Sequence, residues 1–188
     1  MAWGRPDGQD IGSAISKKLG REVVNRAALG SHLRASGLTT LAGFGIPGQV
    51  PEGAWNWVVI NGGANDLGFT CRCVLCDGEI ELLIAEDGSG VIPDMIEAAR
   101  TRGAQVIWLG YYAAPEARSF EGCRPGLVEI ERRVADYAGL REGVFFLDAE
   151  DVFDPTDKSL FYKDKTHPSP KGSALIGGFI AGTIAENS

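Results

Sequence analysis

Trp57-Val58-Val59-Ile60-Asn61 runs straight into Gly62-Gly63-Ala64-Asn65-Asp66: a bulky apolar run, then glycines and short polar side chains. Hydrophobicity without alternation marks a strand covered on both faces, as parallel strands are, and the polar stretch marks the loop leaving its carboxyl end. Three more runs have the same character: Glu22-Val23-Val24-Asn25, Ala104-Gln105-Val106-Ile107-Trp108-Leu109 and Val144-Phe145-Phe146-Leu147. Helical spacing fills the intervals. A first helix is expected over residues 11–19, with Asp10 as N-cap and Gly20 as C-cap. Others are expected over 92–102, ending at Gly103, and over 127–140 and 173–185, with a further one over 74–85 interrupted by Asp77-Gly78. Strand and helix in this order predict an α/β domain on a parallel sheet with helices on both faces. No repeat, low-complexity tract or long linker divides residues 1–188, so a single domain is expected.

Hydrophobic residues make up 44% of the 188, enough for one core and too many for a disordered chain. The 18 basic and 25 acidic side chains give a net charge of -7, which argues against nucleic acid as a partner, since phosphate binding needs a basic face. No apolar run approaches the roughly 20 residues of a membrane span. Met1-Ala2-Trp3-Gly4-Arg5 lacks the basic-then-apolar pattern of a signal peptide, and compartment and oligomeric state stay open. Cys71, Cys73 and Cys76 cluster, and Cys123 lies further on. Their spacing is compatible with a four-thiolate metal site, with disulfides and hence an oxidising compartment, or with free, partly buried thiols.

In a parallel sheet the functional groups gather on loops beyond the carboxyl ends of the strands, and the polar segments of this sequence fall there. In Asp164-Lys165-Thr166-His167-Pro168 a carboxylate stands three residues before a histidine. In a tight turn it accepts a hydrogen bond from one imidazole nitrogen, fixing the tautomer and leaving the other nitrogen basic. Asn65, just past a buried strand, is placed to aim its amide N–H at a developing oxyanion, with Gly62 and Gly63 keeping Cβ atoms out of a substrate's way. Asp66 is suited to tying the loop together through backbone N–H groups. In Asn25-Arg26-Ala27-Ala28-Leu29-Gly30, the Gly30 backbone N–H is a second candidate donor. Each pattern also has a plain alternative: a loop histidine with an acidic neighbour, an Asx turn leaving a strand, a flexible glycine in a βα loop.

Taken together and in this order, the three segments resemble the SGNH (GDSL-type) hydrolases, a family of esterases and lipases. The resemblance runs from the helix at Ile11 to the C-terminal helix. Gly63-Ala64-Asn65-Asp66 is similar to the family's third block and Asp164-Lys165-Thr166-His167-Pro168 to its fifth. Val23-Val24-Asn25 leading to Gly30 is similar to the less specific second block. The resemblance implies a three-layer αβα sandwich with a flavodoxin-like parallel sheet. It implies His167 as general base, Asp164 as the acid that orients it, and Asn65 and Gly30 as oxyanion-hole donors. A small-molecule or carbohydrate ester is the implied substrate, and no metal or organic cofactor is implied.

One block has no counterpart. Family members open with a strand running into a Gly-Asp-Ser turn whose serine is the nucleophile, and this sequence contains no such turn. Met1-Ala2-Trp3-Gly4 is similar to the residues directly after that serine, so the chain reads as N-terminally incomplete, its first strand missing, as from a start assigned at an internal methionine. Ser13 and Ser31 are the candidate substitutes, but Ser13 falls within a helix and Ser31 comes just after Gly30, neither on a strand-to-helix elbow. The expectation is an ester hydrolase acting by serine acyl transfer, inactive as this chain stands. The alternative is a non-catalytic α/β protein that binds an ester or carbohydrate in the same cleft. A phosphate or nucleotide binder is disfavoured, because no glycine-rich loop with phosphate-binding spacing precedes a helix.

Overall fold

Among the described residues, three strands form where apolar runs predict them: β1 (Trp57–Ile60), β2 (Gln105–Leu109) and β3 (Val144–Leu147). The structure is a computed structural model and describes residues 8–35, 37, 43–50, 52–117 and 120–188. The strands pair in parallel in the order β1-β2-β3, with Val58 beside Val106 and Val106 beside Val144. Val106, Ile107, Trp108 and Leu109 of the central strand are all buried, as a strand without alternation requires. The Asn61 side-chain amide donates to the Leu109 carbonyl at 2.8 Å and so ties the carboxyl ends of β1 and β2 together.

The chain forms two compact units, each discontinuous in sequence. One comprises the described residues among 30–110 and 118–147 and holds the sheet. The other comprises those among 1–29, 111–117 and 148–188.

In the first unit the polar stretch after β1 coils into a short helix, α2 (Ala64–Asp66), which continues as a π-helical turn over Leu67–Cys71. Helices α3 (Asp77–Leu83), α4 (Val91–Arg100) and α5 (Arg124–Gly139) come next. Helix α4 packs on β2, α5 on β3, and α3 against both α4 and α5. Asp77-Gly78 begins α3 and does not interrupt it, for the preceding residues belong to a loop closed by Cys71–Cys76. Cys73 pairs with Cys123 directly before α5. The pairing settles the cysteine question in favour of disulfides.

The Cys73–Cys123 bond spans a sequence separation of 50. Chain entropy makes such a link worth about 4 kcal/mol, and measured values for single bridges run about 2–4 kcal/mol. Replacing both residues by serine is expected to lower the unfolding free energy by about 2–4 kcal/mol in urea titrations. The Cys71–Cys76 link, with a separation of 5, should cost less when removed. Equal unfolding curves with and without reductant would contradict both expectations.

In the second unit α1 (Ile11–Leu19) starts at Asp10, whose carboxylate accepts from Ser13 N–H at 3.0 Å, and stops at left-handed Gly20, as the sequence predicts. Helix α6 (Pro170–Glu186) is capped by Ser169 and packs against α1. The contact closes at Gly177, where a Cβ would lie 2.5 Å from that of Ala14.

The expected strand at Glu22-Val23-Val24-Asn25 does not form. A strand exists only through a ladder partner, and none accompanies this segment among the described residues. Its groups go elsewhere: the Asn25 amide donates to Asp10 at 2.9 Å, its carbonyl oxygen accepts from Ala27 N–H, and Val24 is exposed. The Met1-Ala2-Trp3-Gly4 stretch compared with the region after the family's serine lies outside the described residues.

Candidate functional site

The Asp164 to Pro168 turn is stapled at its base. Tyr162 N–H donates to the His167 carbonyl at 2.7 Å, Lys165 N–H to the Tyr162 carbonyl at 2.9 Å, and Phe161 bridges Pro168 in antiparallel fashion. Closing this turn puts Lys165 in the left-handed region, at φ 61°. Within it, one Asp164 oxygen accepts from the N–H groups of Thr166 (3.0 Å) and His167 (2.9 Å), while the other lies 2.9 Å from His167 Nδ1. The carboxylate therefore holds both backbone and ring. With Nδ1 committed to Asp164, the basic lone pair belongs on Nε2.

Burial pushes the Asp164 carboxyl up, but the His167 and Thr166 backbone amides and the imidazole outweigh it and leave its pKa below the ordinary value. Asp164 is thus an anion at neutral pH, able to stabilise an imidazolium as it forms.

Two residues outside the motif position this turn. The Tyr112 hydroxyl donates to the Thr166 carbonyl at 2.8 Å, and its ring stacks on Phe153 with centroids 3.8 Å apart. Burial, with the Asp164 charge adding to it, pushes the Tyr112 phenol well above its usual range, so it remains a donor. Glu116 pairs with Lys165 and Lys158. No local pattern marks either residue, since their partners lie about fifty positions away; tyrosine beside tyrosine after a strand equally suits a core.

Beyond the turn, Gly172 lets α6 start against the preceding chain. A Cβ there would lie 2.3 Å from the Leu160 carbonyl oxygen and 2.8 Å from the Phe153 ring. A side chain at 172 would displace the backbone that leads into the histidine turn.

The other group of candidate residues belongs to the unit that holds the sheet. Asn65 is half-buried on α2 and donates one amide proton to the Ser31 carbonyl at 2.8 Å. An amide has two protons, so a second donor remains after this anchoring bond. Asp66, 1% exposed, accepts from Leu33 N–H at 3.0 Å with one oxygen and from Arg34 N–H at 2.9 Å with the other. Adjacent residues of α2 thereby grip the 31–34 segment from both ends, and Gly30 directly precedes it. Gly30 has φ 78°, and among the described residues nothing lies within 4 Å of where a Cβ would stand.

Gly62 serves a different purpose from the one expected. A Cβ there would lie 2.9 Å from Ile46 and 3.0 Å from Leu33, so the glycine lets the strand end pack against core side chains. Gly63, at φ 111°, turns the chain into α2.

Of the two alternative serines, Ser13 donates its hydroxyl to Asp10 at 2.7 Å from within α1. Ser31 is buried, with its hydroxyl accepting from Gln49 at 2.6 Å. Neither occupies an exposed elbow. Among the described residues no cluster of His, Cys, Asp and Glu is arranged to hold a metal ion, and no helix is long and apolar enough to cross a membrane.

Solved structures share this architecture. A G-D-S-L family protein from Desulfitobacterium hafniense DCB-2 superposes with a TM-score of 0.64 at 17% identity, over 96% of this chain and 91% of that one. An inhibitor-bound aryl esterase from M. smegmatis gives 0.63 at 18% identity, over 97% and 87%. A carbohydrate acetylesterase from Sinorhizobium meliloti gives 0.58 at 17%, over 98% and 88%. At these identities the likeness shows the fold, the α/β fold of the SGNH hydrolases. Among curated proteins none matches this sequence. The profile of the GDSL-like Lipase/Acylhydrolase family matches residues 2–175, nearly the whole sequence, and the chain therefore belongs to that family of ester-bond hydrolases.

Proposed function

We propose that this chain is a single SGNH-hydrolase-like domain whose residues serve the hydrolysis of small-molecule or carbohydrate esters by serine acyl transfer. His167 takes the proton of the attacking serine, Asp164 holds the imidazole and stabilises its charge, and Asn65 and the Gly30 N–H bind the oxyanion. His167 passes that proton to the departing alcohol, and water, deprotonated by the regenerated His167, then attacks the acyl-serine and releases the acid. The observation that carries this reading is the 2.9 Å contact between Asp164 and His167 Nδ1 in a turn that also fixes the histidine backbone. The aryl esterase and the carbohydrate acetylesterase of like fold support esters of that range as the substrate class.

The sequence has no Gly-Asp-Ser turn. A base and oxyanion donors without the nucleophile leave only residual catalysis, so the chain as it stands is expected to be inactive on p-nitrophenyl acetate. Adding a strand and Gly-Asp-Ser segment ahead of Met1 should restore turnover. The same absence favours a second reading, a non-catalytic protein that binds an ester or carbohydrate. Ester binding with no turnover after the addition would establish that reading and overturn the first.

A further inference from the structure

Phe69 leaves most of its ring in solvent, 71% exposed, two residues after the fully buried Leu67. A large aromatic side chain gains free energy by leaving water, so its position on this segment asks for a partner. The ring is nevertheless held. It meets His32 edge-on, with centroids 5.2 Å apart and planes at 66°. Phe69 stands four positions after Asn65 on the continuous helical run from Ala64 to Cys71, which puts the two side chains on one face. Their contacts agree with this, for Asn65 reaches Ser31 and Phe69 reaches the next residue, His32. Asp66 anchors Leu33 and Arg34 just beyond, and Gly30 lies just before. The exposed ring thus lies along the segment that begins with the proposed oxyanion glycine.

We propose that Phe69, braced by His32, is a specificity-determining residue: it forms an aromatic wall beside the oxyanion donors and selects esters carrying an aryl group on the ester oxygen. This rests on the reading of Asn65 and Gly30 as those donors. A flat aromatic group stacks on or meets edge-on the exposed ring, and such aromatic pairs add about two- to tenfold in affinity beyond the area they bury. An alkyl group of similar reach gains only the burial. His32 keeps the ring from folding onto the protein surface, so the wall is preorganised and little freedom is lost on binding. The Cys71–Cys76 disulfide holds the end of the same run, and Cys73–Cys123 holds the chain just beyond it.

The test is ester binding to the chain as it exists, monitored by fluorine NMR with p-fluorophenyl acetate and fluoroethyl acetate as probes. The unsubstituted chain should bind the aryl ester about two- to tenfold more tightly than the alkyl ester. Phe69→Ala, at an exposed position, should leave thermal unfolding unchanged and bring the two affinities together, and Phe69→Trp should keep the preference. Asn65→Ala should weaken both esters by a similar factor and leave their ratio unaltered. An undiminished aryl preference in Phe69→Ala, with both esters weakened by Asn65→Ala, would overturn the wall and leave the oxyanion reading standing. Loss of the preference in Phe69→Ala with Asn65→Ala silent would make Phe69 a surface contact remote from Asn65 and overturn the proposal, while the oxyanion reading is decided separately by the fall in kcat of Asn65→Ala in the chain supplied with a nucleophile.

Discussion

Once a Gly-Asp-Ser segment supplies the nucleophile, His167→Ala is expected to lower kcat/KM for p-nitrophenyl acetate by about four to six orders of magnitude. A serine hydroxyl is a poor nucleophile at neutral pH, and its attack depends on a base within hydrogen-bond reach. The other histidine, His32, is held against Phe69 on the unit that carries the sheet, whereas the Asp164 contact belongs to His167. Asp164→Ala should cost less, about four orders of magnitude, since the imidazole survives but loses its orientation and its stabilising charge. The direction of the Asp164 shift sets the pH dependence. Its carboxyl is held below the ordinary value, so the charged form is favoured in the fold. The stabilisation this brings is complete above the ordinary carboxyl range and disappears only as the pH falls through the lowered value. The carboxylate therefore stays available to the imidazole throughout the neutral range, and this acid-dependent part of the stability should vanish when Asp164 is replaced by alanine. Stopped assays across pH, beside circular dichroism at each point, separate loss of chemistry from unfolding. A His167→Ala variant retaining more than about a tenth of the activity would mean that another group serves as base.

The second large effect is structural. Asp66→Ala should lower the unfolding free energy by about 2–5 kcal/mol, because it strands the N–H groups of Leu33 and Arg34 beside an apolar methyl. The buried Leu33 donor costs about 1–3 kcal/mol when left without a partner, and the part-buried Arg34 donor adds less. Asp66→Asn is expected to lie between, since its carbonyl oxygen still accepts one of the two while its NH2 group faces the other. Urea titration measures both. The functional consequence separates Asp66 from a merely stabilising residue: releasing residues 33 and 34 loosens the segment that carries Gly30 and Ser31, so Asn65 loses the carbonyl against which it is set. In the chain with its nucleophile restored, kcat should fall further than the folded fraction does. A loss under about 1 kcal/mol would show that water reaches these amides and that the carboxylate is not their essential partner.

Much of the candidate site was legible because its chemistry is local. Asp164 and His167 are three residues apart, and a turn of that length brings a carboxylate to the imidazole whatever the rest of the chain does. Asp66 could be recognised as a residue suited to binding backbone amides, but its partners are more than thirty positions earlier and no periodicity points to them. Tyr112 and Glu116 were hidden for the same reason. Gly62 could be read only as a gap, and the side chains that fill it, Ile46 and Leu33, are equally remote in sequence.

From residue order alone come the three strands, the caps of α1, the turn that sets Asp164 against His167, and the family, because apolar periodicity, capping and short turns act between neighbours. Tertiary structure decided which cysteines pair, that residues 22–25 stay out of the sheet, and that Asn65, Asp66 and Phe69 line up along residues 31–34. These outcomes depend on groups brought together from distant positions, where hydrogen-bond partners, bridging distances and exposed rings are set by packing and leave no local pattern.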